Sequence, residues 1–209
     1  MRKIIYKKIV HKVKILQEKV IHYLFLKKHN LIEADTIFTH LTTQEKRKLF
    51  ELARELPKNS YAVEIGSYLG ASTCFISAGL NSSSKLICID TWKNDAMSEG
   101  RRDTKKEFDY NTRNFENKII KVQGFSTDVL DEVKSLTTKI DFLFIDGDHS
   151  YEGCKADWDL YSPLLRSGSC VVFHDFGWAE GVMKVIEEDA KPVMRIFDSL
   201  PNMFWGYIK

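Results

Sequence analysis

Two short stretches hold residue types that do chemistry together. One is Ile145-Asp146-Gly147-Asp148-His149-Ser150-Tyr151 and the other is Val172-Phe173-His174-Asp175. Each closes an apolar run, at 140–145 and 170–173, of the kind that forms parallel strands covered on both faces. Adjacent strands would bring Asp146, His174 and Asp175 together as a mixed carboxylate and imidazole cluster. Such an oxygen-rich set suits Mg²⁺ or Mn²⁺, and the histidine moves the balance somewhat toward transition metals. A divalent cation would lower the pKa of an alcohol and fix its oxygen for attack. His149, three residues beyond Asp146, could face the same cleft and take the proton as general base. Asp148 reads as a helix cap or hydrogen-bond partner instead.

A second group of residues suits a small ligand. After the run 61–65 comes Glu64-Ile65-Gly66-Ser67-Tyr68-Leu69-Gly70-Ala71-Ser72-Thr73. Gly66 and Gly70 permit a tight turn, and the helix start around Ser72 offers free N–H donors. The dinucleotide fingerprint needs a middle glycine to admit a pyrophosphate, whereas Ser67 and Tyr68 stand there. Glu64 disfavours a phosphate and suits a cationic ammonium, such as the methionine end of S-adenosylmethionine (SAM). Asp90 lies about 20 residues on, the offset of an acid that holds a ribose diol. Trp92 could cover the adenine, and Ser126, in the small loop 124–126, could touch its edge.

These residues need a scaffold that gathers strand ends. Apolar runs at 61–65, 85–89, 119–122, 140–145 and 170–173 alternate with helical stretches beginning near Thr42, Ala71, Tyr151 and Val182. Thr42 and Glu45 have capping-box spacing. Pro163 should end the helix from Tyr151 before a turn at Ser167 and Gly168. Strands at 192–197 and 203–208 are joined too closely for a parallel crossover, so they should be antiparallel. The expectation is an α/β, doubly wound, Rossmann-like, seven-stranded sheet. It is mostly parallel with an antiparallel C-terminal strand, and helices cover both faces. Ligands bind such sheets beyond the carboxyl ends of the strands, where the residues above lie.

From about Thr36 to the C-terminus the chain resembles the class I SAM-dependent methyltransferases. It is most similar to the small-molecule O-methyltransferase group that includes macrolide-sugar and cephalosporin-cluster enzymes. The resemblance rests on the turn 64–73, on Ile87-Cys88-Ile89-Asp90, on 142–151 and on Val172-Phe173-His174-Asp175. It implies SAM as cofactor, a metal at Asp146, His174 and Asp175, and His149 as base. His174 departs from the group, whose members often carry a carboxylate there. Gly66, Ser67, Gly70, Asp90 and Ser126 would hold SAM, with Glu64, Ser72, Trp92 and Asp146 beside it. These roles converge on metal-assisted O-methylation of a small molecule or sugar hydroxyl. Two alternatives are a nicotinamide-dependent oxidoreductase and a non-catalytic SAM-binding scaffold.

Composition narrows the rest. Forty-four percent hydrophobic and 29% charged residues in 209 make an ordinary globular mix. The spread-out Cys74, Cys88, Cys154 and Cys170 read as reduced buried thiols. The first thirty residues hold nine Lys or Arg and one acid, a surplus of eight positive charges, so the overall +2 leaves the remainder at −6. A basic segment on an acidic body argues against a nucleic-acid groove. The chain divides into a basic amphipathic helix at 1–30 and a catalytic domain at 31–209, with 93–117 as a candidate lid. In the helix Ile5, Ile9, Val13, Leu16, Val20 and Leu24 form one stripe. That stripe suits packing on the domain, a homo-oligomer, or a peripheral contact with anionic lipid. No run is long enough to span a bilayer and no signal peptide is evident, so a cytoplasmic, optionally membrane-associated enzyme is expected. Arg101 and Arg102 could pair with an acidic group on the acceptor, and His174, Phe176 and Trp178 could line an acceptor side suited to a sugar ring.

Overall fold

The computed structural model describes the backbone of residues 2–94 and 100–209, and side chains from residue 16 onward within those ranges. Helix α1 (Arg2–His29) leads to α2 (Thr43–Arg54), and the alternation then begins. The order is β1 (Tyr61–Ile65), α3 (Ala71–Gly79), β2 (Lys85–Asp90), α4 (Lys105–Thr112), β3 (Ile119–Gln123), α5 (Leu130–Leu136), β4 (Ile140–Ile145), α6 (Tyr151–Tyr161), β5 (Leu165–His174) and α7 (Glu180–Val185). β6 (Met194–Leu200) and β7 (Met203–Ile208) close the chain. One seven-stranded sheet results, ordered β3-β2-β1-β4-β5-β7-β6. β1 to β5 pair in parallel, while β7 is antiparallel to both β5 and β6.

Strand alternation divides the core into two layers. Val63, Ile65, Ile87, Ile89, Leu143 and Ile145 face one side, against α6 and α7. Ala62, Leu86, Cys88, Phe142 and Phe144 face the other, against α2, α3 and Phe108 of α4. Every residue of β4 is buried, as its near-continuous apolar character suggested, and buried Asp141 is met by Arg166 and the Tyr61 N–H. Each large side chain so buried contributes about 1.5–3 kcal/mol. The four cysteines are free and buried.

Local signals act as expected at the helix starts. Glu45 N–H donates to Thr42 Oγ1 (3.3 Å) and Thr42 N–H donates to Glu45 Oε2 (2.7 Å), completing the capping box. Ser150 caps α6 by accepting from Gly153 N–H at 3.1 Å. Some boundaries differ. The turn expected at Ser167 and Gly168 is absorbed into β5, whose pairing with β4 shifts register between Ile140 and Phe142. The helix expected over 182–190 starts at Glu180 and widens to a π turn over Ile186–Ala190. β6 starts two residues late because Pro192 lies in a short helical turn, and it runs on to Leu200. Among the described residues no helix is long and apolar enough to cross a membrane.

Candidate active site

The site forms where β1, β2, β4 and β5 end together. A cavity of about 580 Å³ opens there, lined by Gly66 after β1, Asp90 closing β2, Ser126 after β3, and His149 and Asp157 around the start of α6. Its size lies within the ~300–1,000 Å³ usual for ligand sites. A smaller cavity of about 80 Å³ adjoins it, with Ser67, Ser72, Asp146, His174 and Asp175 in its wall. Gly66, Tyr68 and His149 line both cavities.

Each wall of the larger cavity has a local cause. Gly66 has φ +88°, and a Cβ there would meet the Asp146 carbonyl oxygen at 2.1 Å. Glycine is therefore required by the close pass of β4 as well as by the turn. Asp90 accepts backbone N–H bonds from Tyr68 (2.7 Å) and Trp92 (2.6 Å), which tie the end of β2 to the glycine turn. Ser126 donates to Asp157, and Tyr161 Oη donates to the Ser126 carbonyl at 2.8 Å. Burial pushes the Asp157 carboxyl up to about 6, against the lowering effect of the Ser126 bond. Phe125, 58% exposed, stands at the mouth.

The smaller cavity holds the charged cluster. His149 Nε2 lies 2.8 Å from Asp175 Oδ2. The bond from Asp175 raises the His149 pKa, more than partial burial lowers it. The other Asp175 oxygen accepts from Trp178 Nε1 at 2.6 Å and Asn202 Nδ2 at 3.0 Å. Burial alone would raise the Asp175 carboxyl, but bonds from His149 and His174 hold it well below the usual carboxylate range. His174 is 2% exposed. Its Nδ1 lies 3.1 Å from Asp146 and 3.3 Å from Asp175, and its Nε2 lies 3.7 Å from Glu45. Burial opposes its charge, yet the Asp146 charge and bond, with the Asp175 and Glu45 carboxylates nearby, push its pKa up to about 12.

The donor set fits a divalent cation. Ligand atoms of Asp146, His149 and Asp175 all lie within 4.8 Å of one another. His174 stands outside that group, with its ring nitrogens turned to three carboxylates. His174, expected as a ligand, is thus placed as a buried partner of Asp146 and Asp175, while His149, expected as base, sits within the group.

Three residues expected at the cofactor line neither cavity. Glu64 is fully buried and lines neither cavity. Strand alternation turns it under α3, where Thr73 Oγ1 donates to it at 2.5 Å. Burial pushes its carboxyl up to about 7, against the lowering effect of the nearby Ser72, Thr73 and Ser67 hydroxyls, of which Thr73 donates to it. Trp92 is 1% exposed and packs on Phe108 with ring centroids 4.9 Å apart, beneath the Lys105 ammonium. Its φ of 51° lies in the left-handed region, and the indole is held in the core, lining neither cavity. Gly70 (φ +87°) lines neither cavity, and a Cβ there would meet Thr112 Cγ2 at 2.5 Å.

The surroundings show further differences. Phe176 packs on Phe204 in the core, with centroids 5.7 Å apart, instead of lining an acceptor side. Trp178 remains 61% exposed, edge-on to His149 at 5.3 Å. Phe38 and His40, from the connection between α1 and α2, join the wall of the smaller cavity. The candidate lid is anchored by buried Thr104, Phe108 and Thr112, and its residues 95–99 lie outside the described residues. Arg102 pairs with Glu107. Asp148 accepts from Ser150 N–H at 2.8 Å, as a turn partner should. Asp157 and Asn202 carry no signal in the sequence, and Glu45 reads there only as part of a capping box. Glu45 carried a capping signal that hid its second contact, and Asn202 arrives only through the β6–β7 hairpin.

Solved structures share this fold. An O-methyltransferase from Bacillus cereus in complex with SAH (S-adenosylhomocysteine) superposes with a TM-score of 0.65 at 17% identity, over 88% of this chain and 90% of that one. The O-methyltransferase TomG from Streptomyces achromogenes, solved with SAM, gives 0.64 at 17% identity over 88% and 89%. CalS11, a TDP-rhamnose 3'-O-methyltransferase of calicheamicin biosynthesis, gives 0.57 at 17% identity over 78% and 77%. By sequence, an uncharacterised protein of Acanthamoeba polyphaga mimivirus is 28% identical over 129 residues, which is 60% of this chain and 57% of that protein. An uncharacterised protein of Sinorhizobium fredii is 30% identical over 119 residues, 54% of this chain and 13% of that protein. The chain therefore spans little more than half of one curated relative and a small part of the other. Residues 63–176, more than half of the chain, match the family model described as a methyltransferase domain, and the chain belongs to that family.

Proposed function

We propose that this methyltransferase uses SAM to methylate a hydroxyl oxygen on a small molecule, with a sugar or glycoconjugate as the favoured acceptor. The observation that carries the reading is the adjacency of the two cavities through His149, which borders the ligand-sized one and the charged one alike. SAM, when bound, supplies an electrophilic methyl group on a sulfonium. Gly66, Ser67, Asp90 and Ser126 would hold it, with Asp90 placed for the ribose hydroxyls. Ser72 and Asp146 complete the wall toward the charged cavity. Glu64 acts from beneath, by fixing the start of α3 through Thr73.

His149 and Asp175 act as a dyad. With Nε2–H committed to Asp175, Nδ1 is the nitrogen left to accept a proton. Asp175 fixes the ring orientation and stabilises the imidazolium that forms. Asp146 and Asp175 would hold Mg²⁺ or Mn²⁺, and such an ion supplies Lewis acidity that lowers the pKa of an acceptor hydroxyl. Nε2 of His149 cannot both ligate an ion and donate to Asp175. We assign His149 to the proton and the two carboxylates to the ion. Exposed Trp178 and Phe38 beside polar groups suit a sugar face. The TDP-rhamnose named for CalS11 supports a small-molecule, sugar-bearing class.

Methyl transfer from labelled SAM to a panel of hydroxylated sugars and catechols tests this reading. Sugar methylation that His149→Ala reduces by about 10²–10⁴-fold is the expected result. A strong catechol preference would remove the sugar assignment, and near-normal turnover in the variant would remove the base.

A further inference from the structure

The last turns of α1 present two unlike faces. His22, Phe25, Leu26 and His29 turn toward the domain. His22 Nε2 meets Asp35 at 3.1 Å. The Phe25 and His29 rings pack on Phe50, at 5.0 and 4.4 Å between centroids, and Leu26 is buried. The opposite face carries Leu16, Val20, Tyr23 and Leu24 at helical spacing, each about half exposed or more. The stripe read from the sequence therefore points away from its own domain wherever its side chains are described. A contiguous exposed apolar stripe marks an interaction surface.

Charge selects the partner. Lys19, Lys27 and Lys28 are exposed on the same turns, and the first thirty residues carry a surplus of eight positive charges. A second copy laid helix to helix on this face would bring two such segments together. An anionic lipid surface complements both features, taking the apolar side chains at the acyl boundary and the ammonium groups among the phosphates. Since no described helix can cross a bilayer, the helix would lie in the surface plane. We propose that α1 docks on anionic lipid through Leu16, Val20, Tyr23 and Leu24, with its lysines in the headgroup layer.

Co-sedimentation of the full chain with vesicles tests this without an acceptor. Phosphatidylcholine vesicles containing phosphatidylserine should bind it about tenfold or more tightly than phosphatidylcholine alone. Binding should collapse at 1 M salt, where the Debye length falls to about 3 Å. The double variant Val20→Glu, Leu24→Glu changes only outward side chains, so its thermal unfolding should match the parent while its vesicle binding is lost. Absent or lipid-indifferent binding, or undiminished binding by the variant, would overturn the proposal. A dimer in solution that these two substitutions dissolve would also overturn it, since a second copy would then cover the face.

Discussion

Replacing Glu64 by Gln isolates one buried carboxyl and its cost. Burial raises the Glu64 pKa from 4.5 to about 7 in the folded chain. Below pH 4.5 the group is protonated folded or unfolded and favours neither state. As pH rises from 4.5 toward 7, the unfolded chain releases this proton while the folded chain keeps it, so stability falls through that window. At 1.36 kcal/mol per pKa unit, the interval from 4.5 to about 7 corresponds to about 3 kcal/mol lost above pH 7. Glutamine keeps an oxygen to accept the Thr73 hydroxyl, and the Ser67 and Ser72 hydroxyls can accept from its amide. Urea unfolding of parent and Glu64→Gln from pH 5 to pH 8 gives the difference directly, with all other titrations cancelling. The variant should gain on the parent by up to about 3 kcal/mol as pH rises. Parallel stability curves would refute the claim that Glu64 titrates from a fully buried site.

Three other outcomes follow from the geometry. In His149→Ala, Asp175 keeps its bonds from Trp178 and Asn202, so calorimetry should show SAM affinity within about twofold of the parent while turnover falls as stated above. Asp90→Ala should weaken SAM binding by about 10–100-fold, the worth of a hydrogen bond to a charged group; unchanged affinity would separate Asp90 from the ribose. Mn²⁺ titration followed by electron paramagnetic resonance should find one site, weakened more than about tenfold in Asp146→Ala. Equal Mn²⁺ binding by parent and variant would remove Asp146 from the ion site.

Much of this architecture was legible because its signals are local. The Thr42–Glu45 box, the Ser150 cap and the 140–145 run, apolar but for Asp141, each specify their element within a few residues. Alternation then placed Asp146, His174 and Asp175 at neighbouring strand ends, as β4–β5 pairing requires. What failed was the direction of individual side chains. Glu64 and Trp92 sit beside the right turns, but strand parity sends one under α3 and the other, at a left-handed backbone position, packs on Phe108. Glu45 and Asn202 reach His174 and Asp175 from distant segments, and no spacing in the sequence could connect them. The outward turn of Leu16, Val20 and Leu24 depends likewise on which face Phe25 and Leu26 bury.

The central claim is that the cavity at the ends of β1, β2 and β4 binds SAM. Calorimetric titration of the full chain with SAM and with S-adenosylhomocysteine tests it most directly. Saturable one-to-one binding of both ligands, weakened by Asp90→Ala, is the predicted result. A well-folded chain that binds neither ligand would contradict the account.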